Sequence, residues 1–362
     1  MFQVLNQATP SPVESPLPWQ ELELGVDLVH GPENTPPIPW ATPRSSDELG
    51  FGTPPKSFWA VVLAGGEGRR LRGAAGIDGE VQVPKQFRAL DGSRSMLEST
   101  LERARGLVTR ERILSVVTAE HRRWWRPLLA AYPSRNVVAQ PCNRGTAAAV
   151  LLPLLTILRR DPRAGVMIFP SDHAVDDESL LRDSVLGACT ATLLDPRKIA
   201  LVGVEPAGDT EDYGWLVPCR GSERRLADIS EFAEKPDRDT VRSLLDQGAL
   251  VNTLITVADG WTLLRLFEEV AGELVDAFEA HRRPDSVQRF DAEELFDVEE
   301  LYDDLPMLDF SCDVLEKAIG RLVVCTAEAA CGWMDVGTPR RLRAFLDHHE
   351  DSSFGFPKAV TS

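Results

Sequence analysis

Short apolar blocks separated by polar stretches run along the middle of this chain and predict strands that alternate with helices. Residues 113–117, 166–169 and 199–204 are β-branched runs typical of buried strands, and residues 58–63 form a similar run just before a cluster of glycines. Strands that alternate with helices in this way build α/β folds. The pattern therefore predicts a Rossmann-like α/β fold, a mixed and mainly parallel sheet with helices on both faces.

Two further local signals refine this picture. Ser95 and Glu98 have the spacing of a capping box, and apolar residues then recur on one face of the segment that follows. We therefore expect a helix to begin after Ser95. Further along, residues 213–218 and 229–234 flank a polar stretch and predict an antiparallel pair of strands.

The two ends of the chain differ in composition from its middle. Residues 1–57 are rich in proline and show no sustained helical or alternating pattern, so they predict a flexible extension without a core of its own. Residues 346–362 also predict a loose tail. Residues 58–345 remain as the folded catalytic domain, and this part of the chain contains no internal repeat.

Composition narrows the class of protein. The chain has 362 residues, with 39 Lys and Arg against 56 Asp and Glu, and a net charge of −17 disfavours a nucleic-acid surface. The six cysteines have no paired metal-ligand spacing, which favours reduced thiols. No apolar stretch approaches the ~18 residues of a membrane span, and no signal peptide opens the chain. We therefore expect a cytoplasmic enzyme with no membrane or nucleic-acid partner.

The glycine-rich turn after the first predicted strand is the first segment with a chemical signature. Gly65, Gly66 and Gly68 lack Cβ atoms, so the chain can take positive φ values and bring several N–H groups against an anion. Arg69 and Arg70 add positive charge. The spacing fits neither the dinucleotide fingerprint nor a Walker loop. The turn therefore predicts a phosphate cradle of another kind.

Three later segments supply the charges that a nucleotide site needs. Lys85 in Pro-Lys-Gln-Phe offers a cation, whereas Asp172 in Ser-Asp-His and Asp335 in Trp-Met-Asp-Val offer hard carboxylate oxygens. Mg²⁺ prefers a few carboxylates together with phosphate oxygens and water. Taken by itself, Asp172 would be interpreted as a helix or turn cap. Together the segments predict a site for a nucleoside triphosphate, with Mg²⁺ as cofactor.

In their order these segments resemble those of the sugar-1-phosphate nucleotidyltransferases and, among them, the mannose-1-phosphate guanylyltransferases. The resemblance covers residues 58–345. Its ordered elements are residues 63–71, 84–87, 95–100, 140–147, 170–173, 213–214, 234–237 and 332–337. The resemblance implies the nucleotide-diphospho-sugar transferase fold. It also implies transfer of a guanylyl group from GTP to mannose 1-phosphate, which gives GDP-mannose and pyrophosphate.

The resemblance further implies a role for each matched residue. Catalysis would involve Arg70, Lys85 and Asp172, and Asp172 and Asp335 would bind the metal. The residues implied in nucleotide binding are Leu63, Ala64, Gly65, Gly66, Gly68, Arg69, Arg70, Lys85, Asn143, Arg144 and Thr146. Thr146 would also cap the helix that follows it. The residues implied in binding the sugar phosphate are Tyr213, Gly214, Glu234, Lys235 and Asn252. For His173 we favour a hydrogen bond that orients Asp172 over a role as metal ligand or base.

The chain departs from the family pattern at three places. Arg69 stands where a threonine is usual, Gly145 replaces an asparagine, and residues 251–254 read Val-Asn-Thr-Leu instead of Trp-Asn-Ser-Gly. These changes leave the predicted metal and phosphate residues intact but alter residues around the sugar and the base. The sequence therefore supports the reaction type better than the identity of the substrate. Two alternatives therefore stay open, namely a nucleotidyltransferase for another sugar 1-phosphate or nucleotide and a non-catalytic subunit that senses nucleotide sugars. Assembly into a homo-oligomer also stays open.

Overall fold

The structure is a computed structural model that describes residues 57–66, 83–89, 94–206, 212–221, 225–283 and 291–353. Its strands are β1 (Ser57–Ala64), β2 (Ile113–Thr118), β3 (Val137–Gln140), β4 (Ala164–Pro170), β5 (His173–Ala174), β6 (Ile199–Val204), β7 (Gly214–Pro218), β8 (Leu226–Glu234), β9 (Leu250–Asp259), β10 (Leu322–Ala327) and β11 (Met334–Asp335). Its α-helices are α1 (Met96–Arg105), α2 (Arg122–Leu128), α3 (Gly145–Arg160), α4 (Glu178–Leu194), α5 (Arg238–Asp246), α6 (Gly260–Val270), α7 (Gly272–Ala280), α8 (Ala292–Leu295), α9 (Val298–Asp304) and α10 (Pro339–Ser353).

The local signals in the sequence are confirmed. The four apolar runs form β1, β2, β4 and β6, and the later antiparallel pair is β7 with β8. At the start of α1, the Ser95 side chain accepts a hydrogen bond from the Glu98 N–H, and the Glu98 carboxylate accepts one from the Ser95 N–H. The capping box therefore sets the first turn of this helix.

The main sheet is mixed. Within the described part of the chain it has nine strands in the order β3-β2-β1-β4-β9-β6-β10-β8-β7. Strands β1 to β4 form a parallel half, and β6 pairs in parallel with β10. Strand β9 runs antiparallel between β4 and β6, and its first residues also pair with β7. The predicted α/β class is confirmed, and the insertion of β9 makes the antiparallel share larger than the sequence suggests.

Each face of the sheet has its own hydrophobic core because the side chains of β1 alternate. Trp59 and Val61 belong to a buried cluster that includes α3, α6 and α7. Phe58, Ala60 and Val62 point the other way, into a cluster that includes α1 and α4. Helices therefore cover both faces, as predicted.

The carboxyl ends of the parallel strands lie side by side. Leu63 of β1 pairs with Pro170 of β4, and Ala64 pairs with Val117 of β2. The chain leaves β1 toward β2 and β3 on one side and returns to β4 on the other. Ligands bind in the crevice where strand order reverses in this manner. The glycine turn and the loop after β4 both lie at that crevice.

A second, small sheet joins distant parts of the chain. Strand β5 pairs antiparallel with β11, so that Asp335 lies opposite His173 and Met334 lies opposite Ala174. Asp172 immediately precedes β5. The pairing therefore brings the two predicted metal carboxylates together from parts of the sequence that are far apart.

The C-terminal part of the fold differs from the prediction. Helix α10 continues to Ser353, so the loose tail predicted from residue 346 is wrong over its first part. No glycine or further proline interrupts the helix after Pro339, whereas Gly355 and Pro357 follow it. Residues 1–56 and 354–362 lie outside the described residues, and the domain boundaries stay predictions. In the described ranges, no helix is both long and apolar enough to cross a membrane.

Candidate active site

The glycine turn is anchored through its carbonyl oxygens. The Gln86 side chain donates hydrogen bonds to the carbonyls of Ala64 and Gly66 at 2.9 and 2.8 Å. The Thr118 hydroxyl donates to the carbonyl of Gly65 at 2.9 Å. All three carbonyls are therefore occupied by the body of the protein. A Cβ on Gly66 would meet no atom of the described residues within 4 Å.

The backbone of the turn differs from the prediction. Gly65 and Gly66 are not among the described glycines with left-handed φ, which are Gly145, Gly221, Gly248 and Gly332. Crowding explains the glycine at position 65, because a Cβ there would lie 3.0 Å from Gln140 Oε1 and 3.3 Å from Thr118 Oγ1. Gly68, Arg69 and Arg70 lie outside the described residues, and their predicted roles stay predictions.

Lys85 lies between the two carboxylates. Its ammonium group donates to Asp335 Oδ1 at 2.7 Å and to Asp172 Oδ2 at 3.2 Å. The Lys85 side chain is 5% exposed, against 44% for Asp172 and 20% for Asp335. The preceding Pro84 begins the 3-10 helix Lys85–Phe87, which directs both Lys85 and Gln86 inward. One short segment therefore anchors the glycine turn and places a cation between the carboxylates.

Two glycines in residues 332–337 make room for carboxylates. Gly332 has a φ of 61°, and a Cβ there would lie 2.1 Å from Asp176 Oδ2. A Cβ on Gly337 would lie 2.7 Å from Asp335 Oδ2. Because real Cβ atoms do not approach a neighbour so closely, the Asp335 carboxylate keeps its place only with glycine at position 337.

His173 lies behind Asp172 in its neutral form. The Trp333 indole N–H donates to His173 Nδ1 at 3.3 Å, so the ring proton belongs on Nε2. Burial lowers the pKa of His173, against the raising effect of Asp172 and Asp335. His173 Nε2 is 3.6 Å from Asp172 Oδ1, which is longer than a hydrogen bond. The predicted orienting hydrogen bond is therefore not formed here.

The charge state of Asp172 follows from its neighbours. Enclosure in the cleft is the largest single influence and opposes its ionisation, but the surrounding positive charge and hydrogen bonds, with Lys85 foremost, together outweigh that cost and hold the pKa of Asp172 below its usual range. Solvent still reaches this carboxylate, since the side chain is 44% exposed. Asp172 is therefore an ionised carboxylate that remains partly exposed to solvent.

Sequence reasoning missed Arg341, which lies in the first turn of α10. Its guanidinium donates to Asp335 Oδ2 at 3.1 Å and lies 3.9 Å above the centre of the Tyr213 ring. Tyr213 in turn packs against Trp333, with ring centres 5.7 Å apart. Burial raises the pKa of Tyr213 to about 12, so the phenol stays neutral. Arg340 and Arg343 flank Arg341 in an amphipathic helix, and nothing in the sequence marks one arginine among them.

The predicted sugar-phosphate residues meet where β7, β8 and β9 come together. Gly214 pairs with Glu234 across β7 and β8, and a Cβ on Gly214 would lie 2.4 Å from Glu234 Oε2 and 3.4 Å from Asn252. Glu234 and Lys235 form an ion pair of 3.0 Å. Burial raises the pKa of Glu234, partly offset by Lys235. The structure thus brings Tyr213, Gly214, Glu234, Lys235 and Asn252 together, while their binding roles stay predictions.

The unusual segment of residues 251–254 coincides with backbone strain. Leu254 has a φ of 60°, in the left-handed region that favours glycine, and the family pattern has glycine at this place. Its N–H donates to the Asn252 side chain at 3.0 Å. The register of β9 against β6 shifts here, between Leu201 and Gly203. The chain therefore keeps a glycine-type conformation after losing the glycine.

The segment from Asn143 to Thr146 is bonded within the protein. Arg144 donates to the backbone carbonyls of Tyr302 and Asp303, and the Asn143 side chain accepts the Gly145 N–H at 2.9 Å. Helix α3 begins at Gly145 without a side-chain cap, so the expected cap by Thr146 is wrong. Thr146 lies inside the first turn. Its hydroxyl donates to Asp309 at 3.0 Å, which ties α3 to the Phe310–Leu315 turn. The nucleotide contacts of this segment stay predictions.

The two carboxylates fit a divalent metal in chemistry and in placement. Both are hard oxygen donors, and both already contact one cation, the Lys85 ammonium. Among the described residues, no group of three or more His, Cys, Asp and Glu side chains is arranged to hold a metal by itself. The remaining ligands would therefore have to be phosphate oxygens and water, which is the usual setting of Mg²⁺ in nucleotide sites.

These features define a sheet-edge site with a glycine turn, a buried lysine and a carboxylate pair, and comparison with known proteins gives its class. Residues 59–352 match the Nucleotidyl transferase family. The match covers most of the chain, which therefore belongs to that family.

Two of the similar proteins carry more specific names. Mannose-1-phosphate guanylyltransferase 2 of Escherichia coli O157:H7 is 28% identical over 77% of this chain and 58% of its own length. Xanthan biosynthesis protein XanB of Xanthomonas campestris is 27% identical over 77% of this chain and 57% of its own. The chain thus spans little more than half the length of these relatives.

A solved structure agrees with this placement. The crystal structure described as mannose-1-phosphate geranyltransferase from Thermus thermophilus is 25% identical, with a TM-score of 0.66. The match covers 78% of this chain and 76% of that one. The nucleotide-diphospho-sugar transferase fold is thereby confirmed.

Proposed function

We propose that this chain transfers a guanylyl group from GTP to mannose 1-phosphate and releases GDP-mannose and pyrophosphate. The observation that carries the proposal is the carboxylate pair. The β5–β11 pairing brings Asp172 and Asp335 to the sheet edge beside the glycine turn, with Lys85 between them. A regulatory protein that only senses nucleotide sugars has no need to keep such a pair.

The reaction requires the protein mainly to position the two substrates and to compensate their negative charge. An oxygen of the sugar phosphate attacks the α-phosphorus in line, a new P–O bond forms, and the bond to the leaving pyrophosphate breaks. The attacking oxygen is already ionised, so no protein nucleophile or base is needed. Bringing two anions together and offsetting their charge are the main tasks.

The residues of the site divide these tasks. The glycine turn offers backbone to the triphosphate, and Lys85 lies where negative charge builds up on the transferred group. Glu234 is buried and ion-paired with Lys235, which suits a carboxylate that accepts hydrogen bonds from sugar hydroxyls beside a cation for the phosphate. Asp172 and Asp335 would hold Mg²⁺, which when bound supplies further positive charge to the phosphate oxygens.

Pyrophosphate release by the purified full chain tests this proposal. GTP, ATP, UTP, CTP and dTTP would each be offered with mannose 1-phosphate and with glucose 1-phosphate in the presence of Mg²⁺. We expect release only with GTP and mannose 1-phosphate, and its loss in Asp172→Ala/Asp335→Ala. The exposed pair Asp239→Ala/Asp246→Ala on α5 is the matched control and should keep full activity.

The other outcomes distinguish the alternatives. Release with a different pair of substrates would keep the reaction and change the substrate, which the departures at residues 251–254 make the first alternative. If no pair of substrates gave pyrophosphate release but the chain bound GDP-mannose, the result would establish a sensing subunit instead. A cytoplasmic site of action, in which GTP is available, is part of the proposal.

A further inference from the structure

Asp335 contacts a cation through each of its carboxylate oxygens. Lys85 holds Oδ1 at 2.7 Å, and Arg341 holds Oδ2 at 3.1 Å. Arg341 belongs to none of the segments that define the predicted site. It nevertheless contacts one of the two carboxylates on which the proposed metal site depends.

The guanidinium of Arg341 is fixed from several directions. It stacks 3.9 Å above the centre of the Tyr213 ring, and its second nitrogen lies 4.0 Å from Asp212 Oδ2. The side chain is only 12% exposed. A planar, delocalised guanidinium suits simultaneous stacking and carboxylate binding, which a lysine ammonium does not reproduce. Arg341 is therefore a built part of the site.

Among the described residues, the charges in direct ion pairs at the two carboxylates balance. Asp172 and Asp335 carry two negative charges, and Lys85 and Arg341 carry two positive ones, while Asp212 lies farther away, beyond Arg341. A divalent cation that arrived alone would meet two carboxylates that are already compensated. A triphosphate brings negative charge of its own, and this removes the imbalance that the metal would create.

We propose that Arg341 is a positioning and charge-balancing residue that makes metal binding at Asp172 and Asp335 depend on the nucleotide. Arg341 keeps Asp335 oriented through Oδ2, and together with Lys85 it keeps the pair weakly attractive to a free divalent cation. Metal and triphosphate then bind as a unit. This inference rests on the metal site in the proposed function and extends it to the order of binding.

Titration of the purified full chain with Mn²⁺ tests the inference without any turnover. Free Mn²⁺ would be followed by its electron paramagnetic resonance signal for the wild type, Arg341→Met, Arg341→Lys and Arg343→Met. Arg343 is an exposed arginine on the same helix and serves as the matched control. Thermal unfolding of each variant checks that the fold is retained.

We expect Arg341→Met to bind Mn²⁺ at least tenfold more tightly than the wild type when no nucleotide is present. Arg341→Lys keeps the charge and should stay within threefold of the wild type, as should Arg343→Met. With GTP added, the difference between Arg341→Met and the wild type should shrink to less than threefold. Adding Asp172→Asn to Arg341→Met should abolish the tight binding, which locates the metal at the pair.

Equal or weaker Mn²⁺ binding by Arg341→Met would overturn the inference, and so would an equal gain in Arg343→Met. Failure of all four proteins to bind Mn²⁺ would overturn it as well. None of these results decides the proposed reaction, which pyrophosphate release from the wild type tests separately.

Discussion

The two ends of the cleft are built differently. At the proposed phosphate end, Lys85, Asp172 and Asp335 are linked by ion pairs, and the absence of a Cβ on Gly337 leaves space for the Asp335 carboxylate. At the sugar end, Leu254 and Lys235 both have positive φ without being glycine. The difference teaches that ion pairs organise the proposed phosphate end, whereas two non-glycine residues in a glycine-type backbone conformation mark the proposed sugar end.

Lys85→Met would break the phosphate end most severely. The change removes the cation between Asp172 and Asp335 and leaves two close carboxylates facing each other. We expect kcat/KM for pyrophosphate release to fall by roughly 100-fold or more, the scale of removing one preorganised electrostatic contact. Steady-state kinetics would measure it.

The control for that change is Lys198→Met. Lys198 also makes a 2.7 Å ion pair, with Asp228, but on the surface and away from the cleft. The Lys198→Met variant should keep kcat/KM within about twofold of the wild type. It should lose under ~1 kcal/mol of stability, as is usual for ion pairs at the surface. Similar losses in the two variants would contradict the role given to Lys85.

Gly337→Ala would displace Asp335 without removing it. The new Cβ would lie 2.7 Å from Asp335 Oδ2, so the carboxylate must shift. A misplacement of ~1 Å can cost about 100-fold in rate, and we expect a fall of that order in kcat. Gly272→Ala, where a Cβ meets nothing within 4 Å, should keep the wild-type rate.

Gly214→Ala makes the corresponding change at the sugar end. Its Cβ would lie 2.4 Å from Glu234 Oε2 and should displace that side chain. We expect KM for the sugar 1-phosphate to rise about tenfold, or ~1.4 kcal/mol, while KM for the nucleotide changes little. A larger effect on the nucleotide than on the sugar would show that the two ends are not separate.

At Leu254 we expect the glycine variant to be more stable than the alanine variant, which is the reverse of the usual order of stability. Both Leu254→Ala and Leu254→Gly lose the same packing, but only glycine relieves the positive φ, which costs about 1–2 kcal/mol for other residues. We expect the glycine variant to be more stable by ~1 kcal/mol in urea unfolding. Leu245 is exposed in α5, and there the Leu245→Ala variant should instead be more stable than Leu245→Gly by ~1 kcal/mol.

Much of the fold followed from local signals. The strands of the parallel half are β-branched runs, and the capping box before α1 appears in the sequence as Ser95 and Glu98. The place of β9 did not follow, because its pairing with β4, β6 and β7 depends on contacts between residues distant in the chain. Helix α10 was missed in part because charged residues at a chain end resemble a solvated tail.

The candidate site also has features that could be predicted from the sequence and features that could not. The resemblance identified Asp172 and Asp335 as partners, and only the β5–β11 pairing gave a physical reason for their meeting. Arg341 could not be found, since its importance lies in which helix face meets Asp335. The glycines at 65 and 66 were expected for their φ, whereas at position 65 the structure shows crowding by the Gln140 and Thr118 side chains, which would have to shift to admit a Cβ.

The large sequence separation between Asp172 and Asp335 also affects the order in which the residues of the site are synthesised. Asp172 follows Lys85 by 87 residues, but Asp335 follows Lys85 by 250. On the ribosome the glycine turn, Lys85 and Asp172 therefore emerge long before Asp335. The nascent chain therefore passes through a stage in which Lys85 and Asp172 have been made without Asp335, and the proposed carboxylate pair is complete only once β11 has been synthesised.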